Sequence, residues 1–303
     1  MSYREGKDFS LEALEYKSYK GVNFDPYTSK DLKELWRKTL KSGMHGICFS
    51  MYEDGQEPGD TITEVQVERR IKILKPYTKW IRSFSCIEGN EHIPRLAHKQ
   101  GLKTMVGAWL SDDDEKNEEE INALIALANE GCVDIAAVGN EVLYRNDLSL
   151  DALLDFMKRV RAAIPEHIPV GYVDAYYEFS VHPELVEHSD VILSNCYPFW
   201  EGCPEEYALN HMQQMYGQAM DAAKGKKVII TETGWPSKGE SLKGADPGEE
   251  HAMKYFINAQ AWAKKAGIDV FYFSSFDESW KVGPEGEVGA YWGLWDKNEK
   301  LKF

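Results

Sequence analysis

The chain has 303 residues, of which 43% are hydrophobic and 28% are charged, as in folded globular proteins. Its formal net charge of −15 would repel a phosphate backbone and no basic stripe offsets that charge, which argues against nucleic acid as a partner. No stretch of 18 apolar residues occurs, so we expect no membrane partner, and we expect a monomer.

Eight β-prone runs occur along the chain, each followed by a helix-like stretch or a long loop. They are residues 45–51, 80–86, 104–109, 134–141, 168–174, 191–197, 228–232 and 270–276. Strands that alternate with helices at this spacing predict parallel βα units, and eight such units close a (β/α)8 TIM barrel. We therefore predict one α/β domain over residues 45–303, with residues 1–44 as an N-terminal extension packed on the barrel. The run at 19–24 is an alternative first strand, but it would give nine strands.

Helix signals support this alternation. Ser149 is predicted to cap a helix over residues 150–164, and Pro165 to end it. Asp246 is predicted to cap a second helix, which starts at Pro247 and ends at Gly267. The acidic stretch at 111–115 predicts a solvated loop and helix start. A calcium site there is the alternative, although the stretch lacks the glycine and the spaced ligands of an EF-hand.

Five cysteines occur without CxxC or Cys/His spacing, and no HExxH, GxSxG or Walker motif appears, so neither a metal nor another cofactor is expected. We expect reduced thiols, with pairing of Cys196 and Cys203 as the alternative. The first eight residues lack an apolar segment. This predicts a cytoplasmic protein, or a periplasmic or extracellular one if a leader has been removed.

Two glutamates mark the C-terminal ends of apolar, β-prone runs. Glu141 follows Val138-Gly139-Asn140, and Glu232 precedes Thr233-Gly234-Trp235-Pro236. Acidic residues are depleted in strand interiors, so both carboxylates are predicted to open onto one face of a parallel sheet. Two carboxylates that face each other across a pocket can cleave a glycosidic bond. The alternative is that each glutamate caps a helix or pairs with a surface lysine.

The combination of Asn140-Glu141, Tyr197-Pro198 and the run from Glu232 to Ser237 resembles glycoside hydrolase family 17, the β-1,3-glucanases and β-1,3-glucanosyltransferases. The resemblance extends from about Gly46 to Leu294. It implies a retaining enzyme that cleaves laminarin-type β-1,3-glucan by double displacement without a cofactor, with Glu141 as general acid/base and Glu232 as nucleophile. A retaining pair of carboxyl groups lies about 5–5.5 Å apart, against about 6.5–9.5 Å for an inverting pair.

Polar side chains near the predicted strand ends are candidate sugar ligands. Asn140 is placed to donate to the sugar 2-hydroxyl or to Glu232, and the Tyr197 hydroxyl to Glu232. The family pattern implies that Glu278 and Lys281 bind sugar hydroxyls, with a structural salt bridge as the alternative. The neighbouring Asp277 departs from the asparagine of plant members.

Aromatic residues and one arginine complete the predicted site. Trp235 and Trp292 are candidate platforms for pyranose rings, and core packing is the alternative for both. Arg82 and Trp109, at the ends of the second and third strands, are predicted to line the cleft. For Arg82 the alternative is a buried partner that holds a catalytic carboxylate.

Three other functions stay open. Transfer of the intermediate to a sugar hydroxyl would make the protein a β-1,3-glucanosyltransferase, because acceptor subsites decide between water and sugar. Other specificities of the same clan include β-1,4-glucan, mannan and xylan. A non-catalytic glucan-binding barrel is the third, and the presence of both glutamates argues against it.

Overall fold

The computed structural model describes residues 8–10 and 21–303. Eight parallel strands pair in chain order, and the eighth pairs with the first to close the barrel. The strands are β1 (Met44–Cys48), β2 (Thr78–Ser83), β3 (Lys103–Ala108), β4 (Ile135–Asn140), β5 (Val170–Ala175), β6 (Ile192–Asn195), β7 (Val228–Thr233) and β8 (Val270–Tyr272). The predicted (β/α)8 barrel is confirmed, and the residues between Met44 and Cys48 form its first strand.

Helices alternate with these strands in the described part of the chain. They are α1 (Ser29–Lys41), α2 (Glu64–Leu74), α3 (His92–Lys99), α4 (Asp114–Asn129), α5 (Val142–Arg145), α6 (Leu150–Ala163), α7 (Glu178–Val181), α8 (Pro183–His188), α9 (Glu205–Ala222), α10 (Glu249–Ala266) and α11 (Val282–Glu285). Two 3₁₀ helices, Ser279–Lys281 and Glu287–Tyr291, flank α11 after β8.

Helix α1 occupies the place on the outside of the barrel that a long helix after β8 would take. Only short helical segments follow β8, whereas α1 packs along α10. Leu32, Trp36 and Leu40 recur every four residues and form the buried stripe of α1. The Trp36 ring contacts Phe256 of α10 and Phe303, at centroid distances of 5.5 and 5.2 Å. Burial of this single stripe therefore joins the extension to the barrel wall.

The alternative first strand is not formed by residues 21–24, which lie in no strand, and residues 19 and 20 lie outside the described residues. The boundary between extension and barrel at residue 45 stays a prediction.

The helix signals were right except at one cap. The Ser149 hydroxyl accepts from the Ala152 N–H, as predicted, and α10 ends at Gly267 with a φ of +68°. The prediction that Asp246 caps α10 and that Pro247 starts it is wrong, because the helix begins at Glu249 with Gly248 at its cap position. The Asp246 carboxylate instead accepts from the Ser241 hydroxyl at 2.6 Å, which fixes the preceding loop.

The acidic stretch is a helix start, as expected, since Asp113 caps α4 by accepting from the Lys116 N–H. All five cysteines are free and buried, so Cys196 and Cys203 do not pair.

A buried ion pair joins the C-terminal residues to the loop after β8. Lys302 Nζ lies 2.7 Å from Asp277 Oδ1, and Lys302 also donates to the Ser237 hydroxyl at 2.7 Å and to the Tyr291 carbonyl at 3.1 Å. Asp277 accepts from the Gly293 N–H as well. The aspartate at 277 thus has a buried cation as its partner.

Replacing Lys302 by methionine is expected to lower the free energy of unfolding by about 3 kcal/mol, because it leaves Asp277 buried without its partner. Urea denaturation measures this loss, and the exposed neighbour Lys300→Met serves as the control. The double variant Lys302→Met/Asp277→Asn should recover much of the stability. A double variant as unstable as Lys302→Met would contradict the account.

Candidate active site

Glu141 leaves β4 in a left-handed backbone conformation. The φ of Gly139 is +83° and that of Glu141 is +52°, so the chain turns sharply at the C-terminal face of the barrel. Glycine adopts this region freely, whereas a glutamate there is strained by about 1–3 kcal/mol. The Glu141 N–H donates to the Val173 carbonyl of β5 at 2.8 Å. The turn places Glu141 on the wall of a cavity.

Glu232 lies within β7, beside Asn195 of β6, and is 6% exposed. After Thr233 the chain passes so close to β8 that a Cβ on Gly234 would clash with the carbonyl oxygen of Phe273. The glycine of the Thr-Glu-Thr-Gly-Trp run is therefore required by this close approach. Glu232 lines the same cavity as Glu141.

The side-chain amide of Asn195 lies between the two glutamates. Its Nδ2 donates to Glu141 Oε1 at 2.9 Å and to Glu232 Oε1 at 3.2 Å. These oxygens are at most 6.1 Å apart, the sum of the two distances. Because the two amide hydrogens diverge by about 120°, the oxygens are roughly 5 Å apart when each accepts one of them. Two carboxyl groups whose oxygens are this close can act on one sugar ring, as the retaining mechanism requires.

Arg82 and Tyr197 hold Glu232 from two other directions. Arg82 is 1% exposed, and its Nη1 donates to Glu232 Oε1 and to the Thr231 carbonyl. The Tyr197 hydroxyl donates to Glu232 Oε2 at 2.7 Å, as predicted. Asn140 instead uses its Oδ1 to accept from Arg82 Nη2 at 2.7 Å. Arg82 is thus a buried partner of a candidate catalytic carboxylate.

The two glutamates differ in electrostatic surroundings. Burial raises the pKa of Glu141 to about 7, and the charge of Glu232 adds to that increase. Glu141 accordingly keeps its proton up to near-neutral pH, as a general acid must. Glu232 instead accepts hydrogen bonds from a buried guanidinium and from two neutral donors, Asn195 and Tyr197.

The cavity that both glutamates line has a volume of about 430 Å³. This volume is typical of sites for small molecules. Much of its wall is aromatic, which suits the CH-rich faces of sugars. The aromatic side chains include Tyr52, Phe84, Trp109, Tyr197, Trp200 and Trp280.

Two predicted platforms, Trp235 and Trp292, are in the core. Trp235 is 1% exposed, donates its indole N–H to the Asp246 carbonyl at 2.9 Å and packs on Phe199. Trp292 is 2% exposed and packs edge-on against Tyr197, at a centroid distance of 5.6 Å. The prediction that these rings stack on sugars is wrong, because protein covers their faces. Trp292 instead packs against the ring of Tyr197, whose hydroxyl donates to Glu232.

Glu278 and Lys281 form an ion pair of 3.0 Å that also lines the cavity. The Lys281 ammonium lies 4.2 Å from the ring centroid of Phe273, and the Glu278 carboxylate accepts from the Tyr52 N–H at 3.3 Å. The structural salt bridge that was the alternative is therefore formed, and both side chains also line the cavity. Glu285 lines the cavity beside it, and burial raises its pKa to about 7.

Sequence reasoning missed Asn195, the bridging amide, as well as Trp200, Trp280 and Glu285. Asn195 directly precedes Cys196 and Tyr197 at the end of a predicted strand, and its position there, like that of Asn140, is the signal that could have identified it. Trp200 and Trp280 lie a few residues beyond Tyr197 and Glu278, in loops whose course the sequence does not specify.

Within residues 8–10 and 21–303, no cluster of three or more His, Cys, Asp or Glu side chains is arranged to hold a metal ion. None of the helices in these ranges has the length and apolar character that a membrane crossing requires.

Comparison with known proteins places residues 46–293 in the BtgE/BtgC glycoside hydrolase domain. A glucan 1,3-β-glucosidase of Schizosaccharomyces pombe is 31% identical over 250 residues, which cover 77% of this chain and 78% of that protein. The glucan 1,3-β-glucosidase of Saccharomyces cerevisiae is 26% identical and covers 78% of this chain and 83% of its own.

Solved structures give the same picture. The glycoside hydrolase family 17 β-1,3-glucanosyltransferase from Rhizomucor miehei has a crystal structure that matches this chain with a TM-score of 0.78. The match covers 86% of this chain and 96% of that one, and the two sequences are 29% identical. An endo-laminarinase from Formosa, 20% identical with a TM-score of 0.74 over 91% of this chain and 88% of its own, shares the fold.

Proposed function

Since this chain belongs to the BtgE/BtgC glycoside hydrolase family and is a β-1,3-glucan-cleaving glycosidase, we propose that Glu141 and Glu232 carry its reaction by double displacement. The observation that supports this best is the Asn195 amide, which donates to both carboxyl groups and so brings them close to each other in one cavity.

In the first half-reaction, Glu232 attacks the anomeric carbon while Glu141 donates its proton to the departing glycosidic oxygen. The bond from the anomeric carbon to the leaving sugar breaks, and an ester bond to Glu232 forms. Arg82 and Tyr197 orient the attacking carboxylate, because together they occupy one lone pair on each of its oxygens.

In the second half-reaction, Glu141 takes a proton from water as the water oxygen attacks the anomeric carbon, and Glu232 leaves as a carboxylate. Asn195 donates to both carboxyl groups and can therefore hydrogen-bond to whichever of them is ionised. A monomer as the acting species stays a prediction.

Sugar binding is assigned to the residues that line the cavity. Trp109 offers an aromatic face, and the ion pair of Glu278 and Lys281 offers charged hydrogen-bonding groups to sugar hydroxyls. Asn140 uses its amide oxygen for Arg82, so its NH2 group is the donor for the sugar 2-hydroxyl.

Transfer to a sugar acceptor is the second candidate function. Its support is the 29% identity to a protein named a β-1,3-glucanosyltransferase, together with the aromatic Trp200 on the cavity wall as a candidate platform for an acceptor. Chemically, transfer differs from hydrolysis only in which hydroxyl Glu141 deprotonates.

Incubation with laminarin and with β-1,3-linked gluco-oligosaccharides, followed by sizing of the products over time, tests the proposal. Hydrolysis is expected to release shorter β-1,3-linked sugars. Transfer would add products longer than the starting oligosaccharide, increasingly at high substrate concentration. β-1,4-Glucan and mannan oligosaccharides are the control substrates. Turnover of a control substrate with none of laminarin would overturn the substrate assignment.

A further inference from the structure

Arg145, at the end of α5, contacts the backbone at the end of β4, which carries Glu141, and the backbone that follows β3. Its Nη1 donates to the Asn140 carbonyl, directly before Glu141, and its Nη2 donates to the Leu110 carbonyl after β3 at 2.8 Å. Its Nε donates to Asp147 Oδ2 at 2.7 Å. The five N–H groups of a guanidinium form a rigid planar fork that can hold several acceptors at once.

This fork acts where the backbone is strained. Glu141 has a φ of +52° and a ψ of 30°, a conformation that persists only where the surroundings over-determine it. The Arg145 N–H also donates to the Glu141 carbonyl at 2.8 Å, so backbone and side chain of Arg145 enclose the Glu141 peptide units. The short helix α5 therefore holds the left-handed turn in place.

Arg145 also supports a wall of the cavity. Its guanidinium carbon lies 4.5 Å from the ring centroid of Trp109, within the range of a cation–π contact. Trp109 lines the cavity that contains Glu141. One side chain thus connects the backbone of Glu141 to an aromatic candidate for sugar stacking.

Charged groups from several elements act on Glu141. Glu232 of β7, Asp174 of β5 and Glu285 of α11 are acidic groups that disfavour an anion on Glu141 when they are ionised, and the buried Tyr172 of β5 interacts with Glu141 as well. Arg82 of β2 and Arg145 are the cations that oppose them. Arg82 contacts Glu232 directly. Arg145 lies in the short helix that Glu141 begins, and is thus the cation nearest to Glu141 along the chain.

We propose that Arg145 is a positioning residue for the general acid/base: its fork holds the Glu141 turn against β3 and Trp109, and its positive charge favours the ionised form of Glu141. The inference rests on the proposed role of Glu141. The fork and the charge are separable, because lysine keeps the charge and loses the fork, whereas methionine loses both.

The test compares Arg145→Met and Arg145→Lys in kcat/KM on a laminari-oligosaccharide across pH. Both variants are expected to lose about 10²-fold at the optimum, since a misplaced catalytic group costs that much. Arg145→Met should also move the basic limb of the profile to higher pH, because a cation near Glu141 is gone. Arg145→Lys should leave that limb where it is.

Carboxyl ¹³C NMR of glutamate-labelled protein follows Glu141 without any need for activity, with its signal assigned by loss in Glu141→Gln. The titration midpoint should rise in Arg145→Met and not in Arg145→Lys. The control is Arg159→Met, since Arg159 pairs with the exposed Glu118 on the barrel's outside. Folded Arg145→Met protein with an unmoved midpoint would overturn the proposal. Failure of the wild type on laminarin would overturn the proposed function instead.

Discussion

Glu232→Gln is expected to lower kcat/KM on laminarin by about 10⁴-fold or more, because an amide cannot form the ester intermediate. Steady-state kinetics with reducing-sugar detection measure the loss. The exposed Glu240→Gln, eight residues further on, is the matched control and should keep full activity. Binding of an unreacted laminari-oligosaccharide should persist in Glu232→Gln, since the cavity wall is unchanged.

Glu232→Gln also leaves Arg82 buried beside an uncharged amide, so loss of folding has to be distinguished from loss of chemistry. Trapping on the wild-type protein avoids this difficulty. A 2-deoxy-2-fluoro glucoside or laminaribioside with an activated leaving group should accumulate the covalent intermediate, and peptide mass mapping should find the label on Glu232. A label on another carboxylate, or near-normal activity of a folded Glu232→Gln variant, would exclude Glu232 as the nucleophile.

Glu141→Ala is expected to lower kcat/KM on laminarin by about 10²–10⁴-fold, the usual contribution of general acid/base catalysis. An aryl glycoside with a good leaving group needs little protonation, so formation of the intermediate should slow far less with that substrate. Its breakdown should then limit the rate, and added azide, which needs no base, should restore turnover and give a β-glycosyl azide.

The pH profile tests the same residue in the wild-type enzyme. Burial raises the pKa of Glu141 to about 7, and the first step needs its protonated form. Activity is therefore expected to decline as pH rises through about 7, and this basic limb should vanish in Glu141→Ala assayed with the activated substrate. Survival of the same limb in that variant would mean that another group, such as Glu285, produces it.

Strand ends were the feature that the sequence predicted well. An apolar β-prone run that ends in a carboxylate specifies both the strand and the face on which the carboxylate emerges, because all strands of a parallel barrel point the same way. Glu141 and Glu232 were found in this way, whereas Tyr197 came from the family resemblance and Arg82 from its place at the end of the second predicted strand. The left-handed turn at Glu141 was signalled only by the glycine at 139.

The sequence did not distinguish tryptophans of the core from tryptophans of the site, because a large aromatic ring suits the core and a sugar site equally well. Trp235 lies three residues after Glu232 and Trp292 lies in the segment after β8, yet both rings are enclosed, whereas Trp109 lines the cavity. The direction of a ring in a loop depends on how that loop packs on its neighbours, and no local pattern in the sequence records it.

The sequence by itself determined the barrel and the two carboxylates, since both follow from short-range patterns of apolar runs and their polar ends. Only the tertiary structure decided which groups hold those carboxylates. Arg82 reaches Glu232 across 150 positions of sequence, and Asn195 reaches Glu141 across 54. Barrel closure and strand register bring such residues together, and that register is a property of the whole sheet that no single segment contains.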